Sequence, residues 1–207
     1  MRGGETITPA GDCARQVCFP ESAVVALGEV MVDRTRCEVG LVGAEGVIGW
    51  PALLGVTQPS YIGMVQMRGG TALFADADAI LAACTTSSRL QLILLRFVHS
   101  FTEQMTGTLI GALRDNVEQR LARWLLMLHD RVAGDVLHVT HGELAGALHV
   151  RRASVTDCLH VLEGKSVVRC SRGQLIVRDR AALRRAAGES YGVAEDSYRR
   201  LIGPFGS

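Results

Sequence analysis

The stretch LHVTHGELAGALHVRRASVTDCLHVLEGKSVVRCSRGQLIVRD, residues 137–179, decides how this chain folds. Thr140 followed three residues on by Glu143 is a capping box, in which side chain and backbone satisfy each other and open a helix. Leu144, Ala145 and Leu148 give that helix a small apolar face suited to close packing. After the connector His149-Val150 comes a second helix, about Arg152 to Glu163, that turns Val155, Leu159 and Leu162 inward. Gly164 is placed to end it. Two short helices joined by a tight turn, the second opening on Arg-Arg-Ala-Ser, describe a helix-turn-helix.

Such a second helix projects Arg152, Ala153, Thr156 and Asp157 outward near its N-terminus. Arg152 suits a guanine edge, because a guanidinium fork matches O6 and N7 together. Arg151, Ser154 and Thr140 are better placed for phosphates, which position a protein without specifying sequence. Beyond the helix, SVVRC and QLIVRD flank Ser171-Arg172-Gly173 as a hairpin, a wing from which Arg169 and Arg172 reach an adjacent phosphate. A plain helical pair would show the same spacing. The capping box, basic helix start and basic wing together favour double-stranded DNA as the partner.

Upstream, NVEQRLARWLLMLHDRV (116–132) puts Val117, Leu121, Trp124, Leu125 and Leu128 on one helical face. Before it, SSRLQLILLRFVHSFTEQMTGTLIGALRDN (87–116) carries Leu90, Leu94, Phe97, Phe101, Met105, Thr108 and Ala112 at spacings of three and four. That seam is broad enough to pack a twin helix in a homodimer or to lie on the chain's own sheet. ADADAILAACTTSS (75–88) reads as a short helix and turn.

From Glu5 to about Phe74 the grain is different. VVALGEVMV, CEVGLVG, YIGMVQM and TALF are short apolar runs cut by glycines, Asp33 or Pro59, as in a small antiparallel sandwich or barrel. The expected organisation is α+β: a β-sandwich or β-barrel over residues 1–86, a long helix over 87–114 that serves dimerisation or lies on the sheet, and a winged helix-turn-helix over 115–207.

Bulk properties agree. The 207 residues carry a net charge of +1 and are 48% hydrophobic, enough for real cores. Up to Ser88 five arginines face nine acids, so the basic excess falls in the remainder, concentrated from Arg151 to Arg185. No apolar run approaches the roughly 20 residues needed to span a bilayer, and no signal peptide opens the chain. A cytoplasmic protein without membrane contact is expected. Cys13, Cys18, Cys37, Cys84, Cys158 and Cys170 are scattered with no C-x-x-C pair, which favours reduced thiols over a disulfide frame or zinc knuckle. No histidine precedes His99, which argues against a metal site in the barrel and against a barrel enzyme needing clustered His and acid ligands. The rival class is a barrel-type small-molecule-binding protein or enzyme whose C-terminal helices only pack.

With these parts in order, the chain resembles the Crp/Fnr family of bacterial transcription regulators. The likeness is carried by RGGETITPAGD, CFPESAVVALGEV, EVGLVGAEGVIGWPALLG, NVEQRLARWLLMLHDRV and, above all, VTHGELAGALHVRRASVTDCLHVLE. It implies a cyclic-nucleotide-binding-like jelly roll, a homodimer reading two-fold DNA sites, RNA polymerase as a further partner, and no catalytic role. Arg152 matches the family's arginine at the start of the recognition helix. Ala153 and Asp157 depart from the base-reading residues of the cyclic-AMP-binding member. His149 stands where a turn glycine is usual, in a left-handed conformation less comfortable for histidine.

EGVIGWPALLG corresponds to the family's phosphate-binding segment. Where cyclic-nucleotide binders have Gly-Glu and later Arg-Ser, this chain has Gly49-Trp50 and Pro59-Ser60. Without acid or arginine a buried phosphate charge has no counterpart. Gly46 and Gly49 then read as turn glycines, and Trp50 and Pro51 plug the pocket or reline it for a less polar effector, with Gly49, Trp50 and Ser60 as its candidate residues. Cys13, Cys18 and Cys37 lack iron–sulfur spacing, and no cofactor is expected. Cys158, inside the recognition helix, is either a redox switch or a small core side chain.

Overall fold

The computed structural model describes residues 1–7, 15–31, 36–56 and 61–206. Cys13 and Ser60 lie outside the described residues.

Short runs rich in valine and leucine pair as strands in the first third. β1 (Gln16–Pro20) is antiparallel to β5 (Ala72–Asp76), while β2 (Val25–Val30) lies between β3 (Arg36–Val42) and β4 (Ile62–Val65). The two sheets share one core, in which Val17, Val25, Leu27, Val42, Ile48 and Val65 are buried. The described strands therefore form two open sheets rather than the expected closed barrel. Both edges of the β3–β2–β4 sheet are covered by other elements. Beside β4, the Ile7 amide donates to the Gly63 carbonyl at 2.9 Å and Val65 donates to Glu5 at 2.9 Å. The outer side of β3 meets helices instead.

α1 (Ala77–Thr86) starts at Asp76, whose carboxylate accepts from the amides of Asp78 and Ala79. α2 (Ser88–Arg114) follows after Ser87, its N-cap. Phe97 and Phe101, expected on a seam toward another chain, are buried inside this one. A Cβ on Gly46 would fall 2.1 Å from Phe97 Cε2, and one on Gly40 would fall 2.8 Å from Phe101 Cε2. Gly46, expected as a turn glycine, is thus required because an aromatic ring lies against its Cα. Gln104 fixes the same face: its amide accepts from Leu41 N at 2.6 Å and donates to Leu41 O at 3.1 Å. Leu94 and Met105 pack on this core, and Leu90 and Thr108 are half-buried. The stripe left in solvent is Leu92, Leu95, His99, Thr102, Thr106, Leu109 and Leu113, again spaced by three and four residues. Leu109 is 61% and Leu113 76% exposed.

α3 (Val117–His129) opens on a second capping box, Asn116 with Gln119, and ends earlier than its sequence pattern suggests. Residues 121–129 are all buried because the other C-terminal elements pack around this helix. Those elements are β6 (Val136–Leu137), α4 (His141–Leu148), α5 (Arg152–Gly164), β7 (Val168–Ser171), β8 (Gln174–Val177) and α6 (Arg180–Ala187), with the strands in the order β6–β8–β7. α7 (Val193–Leu201) then returns to pack along α2. Among the described residues no helix is long and apolar enough to cross a membrane.

Candidate nucleic-acid interface

The capping box forms as its spacing requires. The Thr140 hydroxyl accepts from Glu143 N at 3.2 Å, and the Glu143 carboxylate accepts from Thr140 N at 2.6 Å. Leu144, Ala145 and Leu148 are buried, and α4 stops at His149, whose φ of 54° and ψ of 48° are left-handed. Amides of His149 and Val150 then donate back to Gly146 and Ala145, so the turn closes the helix with local bonds. On α5, Val155, Leu159 and Leu162 face inward.

Arg151, Arg152, Ala153 and Asp157 are exposed along the start of α5, and Thr140 is exposed at the start of α4. Two residues sit deeper. Ser154 is half-buried, and Thr156 is engaged: its hydroxyl lies 2.9 Å from His141 Nδ1 and 3.1 Å from the Arg152 carbonyl. Thr156 therefore braces α5 against α4 rather than standing free in front of the helix. Burial, then the nearby charges of Arg152 and His160, pull the His141 pKa below its ordinary value, which favours the neutral ring in this contact.

The wing forms between β7 and β8, with Ser171 paired to Gln174 across the turn and Gly173 at φ 73°. Arg169 and Arg172 are exposed on it. Glu163, near the end of α5, accepts from Cys170 N at 2.9 Å and ties α5 to the wing. Cys158 is half-buried and packs on the C-terminal core; desolvation, then Glu118 and Asp157, push its pKa up. Those surroundings disfavour the reactive thiolate. Cys170 is shifted the same way, to about 11, by burial and then Glu163.

Several residues that hold this unit in place carry no sequence motif. Arg123 is buried in α3 and donates to Ser190 O at 2.8 Å, Thr108 Oγ1 at 3.0 Å and Gln104 O at 3.0 Å, joining α2 to the segment before α7. Arg120 donates to the Leu148 carbonyl at the end of α4. Arg131, just past α3, meets Glu45 at 2.8 Å in an ion pair whose side chains are 2% and 9% exposed. Tyr198 Oη donates to the Glu45 carbonyl at 2.7 Å. Glu45 opens the EGVIGWPALLG loop, so that loop is bonded directly to the C-terminal part of the chain.

Within the loop Gly49 has φ 81°, and a Cβ there would also come 2.8 Å from Gln16 O. Trp50 starts a short 3-10 helix (Trp50–Leu54) and packs on Tyr61 with ring centroids 6.0 Å apart, while Pro51 is buried. Trp50 Nε1 and Tyr61 Oη are both buried with no hydrogen-bond partner among the described residues, and burial pushes the Tyr61 pKa up.

These parts define a winged helix-turn-helix protein whose recognition unit follows a long helix laid on two β-sheets. Residues 119–186 match the Crp-like helix-turn-helix domain. Over nearly its whole length the chain is similar to a CRP-family transcriptional regulator from Thermus thermophilus, 22% identical over 91% of this chain and 96% of the other, with a TM-score of 0.76. A second regulator from that organism, of the CRP/FNR family, is 20% identical over 92% and 97%, with a TM-score of 0.70. FixK2 from Bradyrhizobium japonicum is 15% identical over 89% and 93%, with a TM-score of 0.76. The chain thus shares the fold of CRP/FNR-family regulators and carries their type of helix-turn-helix. Among curated proteins, none matches it.

Proposed function

We propose that this chain is a sequence-specific, DNA-binding transcription regulator that works as a homodimer. The observation that carries the reading is the joint exposure of Arg152 at the start of α5 and of Arg169 and Arg172 on the adjacent wing, within a Crp-like helix-turn-helix. Arg152 reads a base edge in the major groove; Arg151, Arg169 and Arg172, with Thr140 and Ser154, engage phosphates. Asp157 projects from the same face of α5 and selects against bases that offer it only acceptors.

Dimerisation uses the exposed stripe from Leu92 to Leu113. Its spacing of three and four is the seam of a two-stranded coiled coil, and both recognition units follow the C-terminal end of α2. A parallel pairing places them side by side for two half-sites of one duplex. Signalling is then a population shift between dimers that differ in recognition-helix spacing. An effector site at Gly49 and Trp50, with Ser60 a candidate from the sequence alone, takes an uncharged ligand that accepts hydrogen bonds, since among the described residues Trp50 Nε1 and Tyr61 Oη are buried donors without acceptors. The regulator acts in the cytoplasm and contacts RNA polymerase from the DNA-bound state.

The test is selection of bound duplexes from a random DNA pool, followed by fluorescence anisotropy on the enriched site at rising salt. A two-fold consensus and a steep loss of affinity with salt are expected. No binding to any duplex at low salt refutes the reading.

A further inference from the structure

The solvent-facing stripe of α2 is apolar at both ends and polar in its middle, where His99, Thr102 and Thr106 replace leucine. The threonines are satisfied within their own helix: Thr102 Oγ1 donates to Val98 O and Thr106 Oγ1 to Thr102 O, both at 2.9 Å. His99 is different. Its Nε2 lies 3.6 Å from Glu103 Oε1, one helical turn on. That is too long for a hydrogen bond. It is close to the edge of a zinc coordination tetrahedron, about 3.4 Å for ligand distances near 2.1 Å. The second carboxylate oxygen, Glu103 Oε2, is buried against its own chain and has no hydrogen-bond partner among the described residues.

A histidine and a glutamate four residues apart project from one helix face, so both can bind one ion. Among the described residues, no group of three or more such side chains gathers within one chain. One chain thus offers half a site. A parallel, in-register pairing, the homodimer on which this inference rests, brings the partner subunit's His99 and the partner subunit's Glu103 to the same level of the seam.

We infer that the dimer seam holds a divalent transition-metal ion between the two copies of α2, bound by His99 and Glu103 of each. Two imidazole nitrogens and two carboxylate oxygens suit zinc in tetrahedral geometry. The ion compensates for a polar layer that would otherwise weaken the seam. Because Phe97, Phe101 and Gln104 bind the same stretch of α2 to the sheets, the ion fixes the helix spacing at the level of the N-terminal domain.

The experiment is sedimentation equilibrium of the full chain with chelator and with zinc, paired with equilibrium dialysis and with cobalt(II) absorption in place of zinc. Expected are one ion per two chains, a dimer tightened at least tenfold by zinc, and the visible bands of tetrahedral cobalt. His99→Ala abolishes all three. Glu103→Gln lowers metal affinity at least tenfold, and His160→Ala, on the exposed face of α5, changes nothing. A dimer that binds no metal, or whose metal affinity survives His99→Ala, overturns the site and leaves the homodimer standing. A chain that stays monomeric with and without zinc overturns both. Circular dichroism on each variant separates loss of metal from loss of fold.

Discussion

The buried pair between Arg131 and Glu45 makes a sharp energetic prediction. Removing one member of a buried ion pair costs about 3–5 kcal/mol, because the remaining charge is left uncompensated in a poorly solvated site. Here Arg131→Met leaves the Glu45 carboxylate, among the described residues, with the Gly43 amide as its one remaining hydrogen-bond donor, 3.0 and 3.1 Å from its two oxygens. It also removes a donor to the Met127 carbonyl at 2.7 Å and the guanidinium stacked 5.0 Å from the Phe205 ring. The surviving Gly43 contact puts the expected loss at the lower end, about 3 kcal/mol. For a chain of this size that lowers Tm by roughly 6–12 °C. Glu45→Gln with Arg131→Met leaves no buried charge behind, and the double variant should recover at least about 1 kcal/mol relative to the sum of the single changes. Urea unfolding of the four proteins, followed by circular dichroism and tryptophan fluorescence, measures all the terms. A cost below about 1 kcal/mol for Arg131→Met, or strict additivity of the two changes, refutes the claim that this pair ties the loop to the C-terminal unit.

Arg152→Ala should lose about 1–3 kcal/mol on the selected site and flatten preference at one base pair, whereas Arg172→Ala should weaken binding to all sequences alike and lower the salt slope by about 1; anisotropy titrations distinguish the two. Leu95→Glu with Leu109→Glu should give a folded monomer by sedimentation, since both side chains are exposed in the single chain. Phe101→Ala, on the opposite face, should instead cost about 3–5 kcal/mol of stability. Burial raises the Glu38 pKa from 4.5 to about 7. The unfolded chain therefore releases this proton first, and stability contributed at low pH should fall as pH rises from about 4.5 to about 7, by on the order of 3 kcal/mol at most. Glu38→Gln should remove that slope from urea midpoints measured across the same range.

Local signals were the legible ones. Thr140 with Glu143 and the inward set Val155, Leu159 and Leu162 follow from interactions within four residues, and each occurs as read, while the left-handed turn at His149 was implied by the resemblance to a family that has glycine there. The orientation of α2 was not legible in this way. Two stripes at heptad spacing run along it, one through Phe97 and Phe101 and one through Leu92, Leu95 and Leu109. Only the fit of the aromatic rings onto Gly40 and Gly46, more than fifty residues away in sequence, decides which is buried. The open arrangement of the described strands was not legible for a related reason, because covering β3 with helices is a non-local choice that strand periodicity does not encode. Arg123 and Arg131 resemble the surface arginines of any amphipathic helix. Their roles depend on acceptors supplied by Ser190 and Glu45 from distant parts of the chain.

The bond from Tyr198 to the Glu45 carbonyl spans 153 positions, and that separation bears on the order of events during synthesis. The N-terminal loop is made early, yet the hydroxyl that completes it emerges 153 residues later. Until then Arg131 has no Phe205 to cover it, and the Phe97 and Phe101 side of α2 lacks α7 as its neighbour. An N-terminal half released alone would display that unfinished groove to chaperones and proteases. Emergence of α7, rather than of either unit before it, is the event that seals the sheet domain.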